Sequence, residues 1–298
     1  MTSEAVNRIP GTKVLSVVVV VFVGDECLPS CLDHLALEVR GRTDLEVIVS
    51  CDDRLVERER WEREYPWVRW LHQPGSVHPS VLRARGVREA SGHHIALLED
   101  HCQTAPGWCA AALNSGSTPV QGGPIQKAEP DTPLNWAGYF LEFAYYMPRV
   151  TNTGDRASDC NTTYTREALQ SVRSVWEKEF HETNVNWALQ DQGVLIVRAP
   201  GQLVYESHPL HLKDALKERL AFGRTFADSR CQRLSRSQQL AYAIGTPLLP
   251  ALLTLRMGRI AAKHSRFGAF LRAYPWFLLL ASAWTLGEVQ GYLSPRSA

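Results

Sequence analysis

Val14 to Val23 is an unbroken apolar run, rich in β-branched residues and without a charge to mark a solvent face. Such a run suits a strand covered on both sides, as in parallel sheets with helices packed on each face. The chain beyond it keeps the alternation that such a sheet requires. Leu28, Cys31, Leu32 and Leu35 fall at helical spacing, Leu45 to Ser50 reads as a second strand stopping at Cys51-Asp52-Asp53, and Val68 to Leu71 reads as a weaker third. Ser80 to Ala90 predicts a helix leading into the apolar strand Ile95-Ala96-Leu97-Leu98. Strand and helix alternate to about Ala199, which predicts an α/β domain with right-handed crossovers.

That last strand runs straight into Glu99-Asp100-His101 and closes with the turn Ala105-Pro106-Gly107-Trp108. The carboxyl edge of a parallel sheet is where open α/β folds bind ligands. Two carboxylates and an imidazole within three residues are suitable donors for a divalent cation, the usual partner of a diphosphate. A solvated strand end is the plain alternative.

Together these stretches resemble the family 2 glycosyltransferases of the GT-A fold. Ser16-Val17-Val18-Val19 through Glu26-Cys27-Leu28-Pro29-Ser30-Cys31-Leu32 is similar to their opening strand and helix, and Glu46-Val47-Ile48-Val49 before Asp52 to their second strand. Arg83-Ala84-Arg85-Gly86 with Ala90-Ser91-Gly92 resembles the helix before their metal strand, and Leu98-Glu99-Asp100-His101 sits where they carry an Asp-x-Asp motif. Gly122-Gly123-Pro124, Asn161 before Tyr164-Thr165-Arg166-Glu167, and His181-Glu182 before Gly193 keep the family's order. The resemblance covers roughly residues 12 to 215, and the colinear order of its motifs is more specific than any one of them.

The resemblance implies a Rossmann-like, mostly parallel GT-A catalytic domain over residues 1–211 and a sugar moved from a nucleotide-diphosphate donor to a hydroxyl acceptor. Glu26, Asp52, Asp53, Arg83, Glu99, Asp100 and Gly123 fall in the donor-binding set, with Glu99, Asp100, His101 and His208 as metal ligands. Asn161 and Trp136 fall on the acceptor side, and Glu182 is the general base, which implies inversion at the sugar carbon.

Each assignment has an ordinary rival. Arg83 can be a solvated helix arginine, Asp52 or Asp53 can cap the next helix, and Glu182 can be a first-turn glutamate favoured by the helix dipole. Gly122-Gly123-Pro124 can be a plain turn, His208 a loop histidine close to His211, and the aromatic segment around Trp136 simple core.

The sequence also departs from the family. Val20 and Val23 stand where the first strand usually exits through Pro and Asn, Glu99 and His101 replace the two metal aspartates, and His181-Glu182 replaces the Glu-Asp pair of the base. An imidazole among the ligands favours manganese over magnesium.

At 298 residues and a net charge of +1, the chain has room for one large domain and an appendage, and the balance argues against a nucleic-acid partner. Seven cysteines without paired or CxxC spacing predict a reduced cytosolic setting rather than a disulfide frame or a zinc finger. Gly24-Asp25-Glu26 follows the first apolar run where a signal peptide would need small cleavage-site residues.

From Leu212 the character changes. Lys213, Lys217, Arg219, Arg224, Arg230, Arg233 and Arg236 precede two apolar segments, Leu240 to Leu255 and Ala273 to Leu286, with Arg256, Arg259, Lys263, Arg266 and Arg272 between them. Each segment falls short of the roughly 20 residues of a spanning helix. The pattern predicts a helical tail over 212–298, an interfacial or re-entrant hairpin on an anionic membrane surface at the cytoplasmic face beside a glycan or lipid-linked acceptor, with two true spans as an alternative. Two core helices are the competing reading. A membrane-docked scaffold without activity, and a nucleotidyltransferase, are the alternatives for the whole chain. The second would want a basic, glycine-rich phosphate loop where Gly24-Asp25-Glu26 stands.

Overall fold

The computed structural model describes residues 13–114, 118–148 and 156–294. Strand β1 (Leu15–Val20) is buried throughout, and helix α1 (Leu28–Val39) buries the stripe Leu28, Cys31, Leu32 and Leu35. β1 is shorter than its apolar run because the Asp100 carboxylate accepts the N–H groups of Val23 (2.9 Å) and Gly24 (2.7 Å) and draws the chain out of the sheet.

Strand β2 (Leu45–Cys51), helix α2 (Arg58–Glu64), strand β3 (Arg69–His72), helix α3 (Pro79–Glu89) and strand β4 (His94–Glu99) follow, the predicted ones close to their expected bounds. Next come strand β5 (Cys102–Thr104), helix α4 (Trp108–Leu113), strands β6 (Val120–Gly122) and β7 (Ile125–Lys127), and helix α5 (Pro133–Glu142). Strand β8 (Asn161–Thr165), helices α6 (Arg166–Ser171), α7 (Arg173–Trp176) and α8 (Glu182–Asp191), and strands β9 (Ile196–Arg198) and β10 (Val204–Glu206) precede four helices. These are α9 (Leu212–Cys231), α10 (Arg236–Gly245), α11 (Leu249–Lys263) and α12 (Phe267–Leu293).

Seven strands form the main sheet in the order β3-β2-β1-β4-β8-β6-β9, and β5-β10-β7 form a small second one. The first four strands are mutually parallel, whereas β8 runs antiparallel to both β4 and β6. The β4–β8 register pairs Leu98 with Asn161, so the residues just before β8 come opposite Glu99 and Asp100 at the strand tip. The core on one side of the sheet joins Val18, Ile48, Leu82, Leu97, Tyr164 and Phe180.

The chain divides into two compact units, Met1–Gln126 with Pro148–Ser207, and Lys127–Met147 with His208–Ala298. This differs from a single cut at 211/212, because α5 and its aromatics belong with the C-terminal helices. Within that second unit α12 packs on α9 and α5. A Cβ at Gly223 would strike the Trp284 carbonyl and one at Gly287 the Leu220 carbonyl, so glycine lets the α9 and α12 backbones touch.

The segment Ala273 to Leu286 is therefore half core: Ala273, Phe277, Leu280 and Ala281 are buried, while Leu278, Leu279 and Leu286 are exposed. The segment Leu240 to Leu255 is mostly surface, with Leu240, Ile244, Leu248, Leu252 and Leu255 exposed. Arg236–Lys263 is the one helical stretch among the described residues long and apolar enough to cross a membrane. Two cations of the basic run are structural. Arg219 is buried against Glu142 at 2.8 Å, and Arg230 lies 4.0 Å over the Tyr242 ring and donates to the Tyr292 hydroxyl.

Candidate functional site

Arg83, on α3, is the centre of the charged cluster at the tip of β4. Its side chain is buried, with one Nη donating to Glu99 Oε1 at 2.7 Å and to Asp159 at 2.8 Å and the other to the Phe180 carbonyl at 3.1 Å. The expected free cation for a diphosphate is thus already spent on two carboxylates. Phe180 ends the turn before Glu182, so the same arginine ties α3, β4, the start of β8 and the start of α8 together.

Glu182 is half-buried at the first turn of α8, and its carboxyl is pushed up to about 7, by burial first and then by the Asp159 charge. A glutamate placed only to suit the helix dipole would shift the other way. Glu99 is raised by the same two causes, burial and Asp159, against the pull of Arg83 and His101. Three carboxylates therefore share one guanidinium, and burial together with the Asp159 charge raises Glu99 and Glu182.

The three residues of the Glu-Asp-His motif separate. Asp100 is completely buried and both its oxygens accept backbone N–H groups of the loop after β1, so it shapes that loop. His101 is buried with Nε2 3.5 Å from Glu99 Oε2 and Nδ1 3.5 Å from Asp100. Burial opposes charging of its ring, but Cys102, Asp100 and Glu99 outweigh it and hold the pKa well above the ordinary value. Glu206, at the end of β10, has its carboxylate within 4.8 Å of a His101 ring nitrogen. Imidazole and carboxylate are a donor set that fits manganese, with Glu99 at its edge. His208 opens the second unit two residues after Glu206, and its carbonyl accepts from Asn135 within that unit.

The expected donor-side residues near β2 are also engaged. Asp52 is fully buried and holds Arg54 (2.8 Å) and the Val77 N–H (2.9 Å). Burial raises its pKa, but those bonds outweigh it and leave the carboxyl low. Asp53 is exposed and bonds His72 and the Gly75 N–H, both at 2.8 Å. Neither caps α2, since Asp25 takes the Val56 and Glu57 N–H groups there. Glu26 is exposed at the start of α1.

Gly123, expected on the donor side, and Asn161, expected on the acceptor side, both answer an internal need. The Asn161 amide is sealed in the first unit, donating to the carbonyls of Pro124 and Gln202 and accepting from Trp108 Nε1 and Gln202 Nε2. A Cβ on Gly123 would overlap the Gln202 carbonyl and that amide. Trp136 is buried among Tyr139 and Phe140 in the second unit, with its N–H on Asp131.

Asp159 and Cys160 escaped the sequence reading. Their place follows from the pairing alone, because residues just before a strand antiparallel to β4 face the β4 tip. Cys160 donates to Glu99 Oε2 at 3.0 Å.

No family model matches the sequence, and no curated protein matches it. Among solved structures the chain is similar to the mannosyltransferase PcManGT from Pyrobaculum calidifontis in complex with GDP-Man and Mn2+. The identity is 13% and the TM-score 0.55, over 93% of this chain and 86% of that one. It is also similar to residues 1–349 of S. aureus TarS in complex with UDP-GlcNAc, at 11% identity and TM-score 0.50, over 93% and 91%. At such identities the likeness speaks for architecture, and with the sheet order and strand-tip cluster above it gives the chain the GT-A fold of glycosyltransferases.

Proposed function

We propose that this protein is a metal-dependent, inverting glycosyltransferase of the family 2 type, moving a sugar from a nucleotide-diphosphate donor to a hydroxyl on a glycan or lipid-linked acceptor. The observation that carries the reading is Glu182, a carboxyl pushed up to about 7 beside Asp159, Glu99 and Arg83 at the carboxyl edge of a GT-A sheet. A base matched to working pH transfers protons best.

In the reaction Glu182 accepts the proton of the acceptor hydroxyl as its oxygen attacks the anomeric carbon from the face opposite the diphosphate. The bond to the diphosphate breaks, and its electron pair leaves on the diphosphate oxygen. His101 and Glu206, with Glu99 at their edge, would hold a manganese ion, which would supply neutralising charge for that leaving oxygen. Arg83 holds Glu99 and Asp159 in place and steadies the turn that presents Glu182. Glu26 and Asp53, the exposed members of the donor set, meet the nucleotide.

The apolar face of α10 and α11 is exposed, with Arg259 and Lys263 in the last turns of α11, a composition suited to an anionic leaflet on the cytoplasmic side. This supports an acceptor presented at the membrane. A panel of nucleotide sugars with manganese, read as nucleoside diphosphate release, tests the reaction. Turnover with one donor that disappears in Glu182→Gln supports it. Failure to bind any nucleotide would return the chain to the scaffold reading.

A further inference from the structure

We propose that this protein has a second, sulfur-lined metal site, formed by His101, Cys102 and Cys160, which takes zinc and competes with the oxygen-ligated ion for His101. One ligand atom from each residue lies within 4.8 Å of the other two, and all three side chains are buried. No sequence spacing announces the group, because Cys102 enters from the start of β5 and Cys160 from the residue before β8.

Buried cysteines are commonly small apolar filler. Cys51 and Cys109 are also buried, yet among the described residues neither belongs to a group of potential ligands. Cys160 instead donates to Glu99 Oε2, and His101 Nε2 lies 3.5 Å from that same oxygen. Glu99 is divided in use: Oε1 holds Arg83, and Oε2 faces the sulfur and the imidazole.

Two sulfurs, a nitrogen and a carboxylate oxygen are a tetrahedral zinc set, and thiolates select zinc over manganese or magnesium. Asp159 is partly exposed and has an oxygen within 4.8 Å of the Glu99 and Cys160 ligand atoms, which gives an ion a route inward. On loading, each thiol gives its proton to solvent and forms a sulfur–zinc bond, the charged His101 ring gives up its extra proton to solvent and binds through nitrogen, and the ion's two positive charges balance two thiolates. His101 cannot serve two ions at once. Zinc therefore displaces manganese and stops transfer, a consequence that rests on the proposed reaction, whereas zinc binding itself does not.

The test is cobalt titration of the reduced, metal-free, full-length protein. Tetrahedral ligand-field bands with a thiolate-to-cobalt charge-transfer band should appear and be erased by one equivalent of zinc. Cys102→Ser and Cys160→Ser should each lose the charge-transfer intensity and weaken zinc binding on the order of a hundredfold, while Cys51→Ser and Glu182→Gln keep both. X-ray absorption of zinc-loaded wild-type protein needs no variant and should find two sulfur neighbours at about 2.3 Å. Cobalt bound without the thiolate band, or zinc ringed only by oxygen and nitrogen, overturns the site. Absence of turnover with every nucleotide sugar would sink the transferase reading and leave these spectra unchanged.

Discussion

Two polar clusters meet β8 at neighbouring residues, and they are opposite in kind. Around Asn161 the side-chain amides all find acceptors: Gln202 bonds Asn161, Thr163 and Gln121, and Gln121 reaches the Ala111 and Ala112 carbonyls. Around Asp159, two residues earlier, one guanidinium serves Glu99, Asp159 and Glu182, and the Glu99 and Glu182 carboxyls are pushed up, by burial first and then by the Asp159 charge. The first network is complete and neutral, so it fixes the sheet and offers nothing to a ligand. The second is short of positive charge and becomes balanced when a cation, or an acceptor that gives up a proton, joins it. Charge imbalance, not polarity, separates the reactive cluster from the structural one.

The sharpest way to break this contrast is to remove a proton acceptor from the second cluster. Glu182→Gln should cost roughly a hundredfold to ten-thousandfold in kcat, measured with the donor that supports turnover. Its melting temperature should not fall. The folded-state pKa of about 7 lies above the ordinary 4.5, so folding favours the protonated form. The ionised side chain is a burden once pH rises past the unfolded value, and the amide removes that burden. A variant that keeps its rate removes Glu182 from the chemistry.

The complete cluster should behave in the reverse manner. Asn161→Ala strands Trp108 Nε1 and the buried Gln202 carbonyl, whereas the Pro124 carbonyl keeps the Val204 N–H; at about 1–3 kcal/mol for each unsatisfied group this corresponds to roughly thirtyfold or more in the folding equilibrium. Chemical denaturation checks the loss. Whatever fraction remains folded should keep its kcat. A large fall in kcat with unchanged stability would mean that Asn161 touches substrate after all.

The pH profile sharpens the electrostatic half of the contrast. As a base, Glu182 works ionised, so kcat/KM should fall tenfold per pH unit below about 7 and level off above it. Asp159→Asn removes the neighbouring charge named as a cause of the shift, and the acid limb should move to lower pH. An unmoved limb would assign the titration to another group.

The sheet was legible because burial writes itself into composition: a strand covered on both faces has to be apolar, and Val14 to Val23 and Ile95 to Leu98 are. Glu99, His101 and Glu182 were grouped through the resemblance, whose colinear motifs set a strand end and a helix start in one order. Asp100 was not, since one carboxylate beside another looks alike in sequence whether it turns to a pocket or to the Val23 and Gly24 N–H groups. Asn161 misled for a related reason: an amide that saturates itself against Gln202 and Pro124 depends on chain partners about 40 residues away. Asp159 was hidden because its importance comes from antiparallel pairing with β4, and the alternating strand-helix pattern gives no sign of an inserted antiparallel strand.

The smallest expected effect concerns the second unit, where exposed leucines on α10 and α11 contrast with the buried stripe of α12. Area-driven binding to a bilayer does not depend on lipid charge, but the cations beside it do. Lys263 is exposed at the end of α11, one turn after Arg259. A lysine near an anionic surface contributes about 1 kcal/mol, so Lys263→Gln should weaken binding of the full-length protein to vesicles containing anionic lipid about fivefold, and to neutral vesicles not at all. Sedimentation with the two vesicle types measures the difference. Equal loss on both would mean that the substitution disturbs the helix itself, and no binding to either would return the exposed leucines to contact with another protein surface.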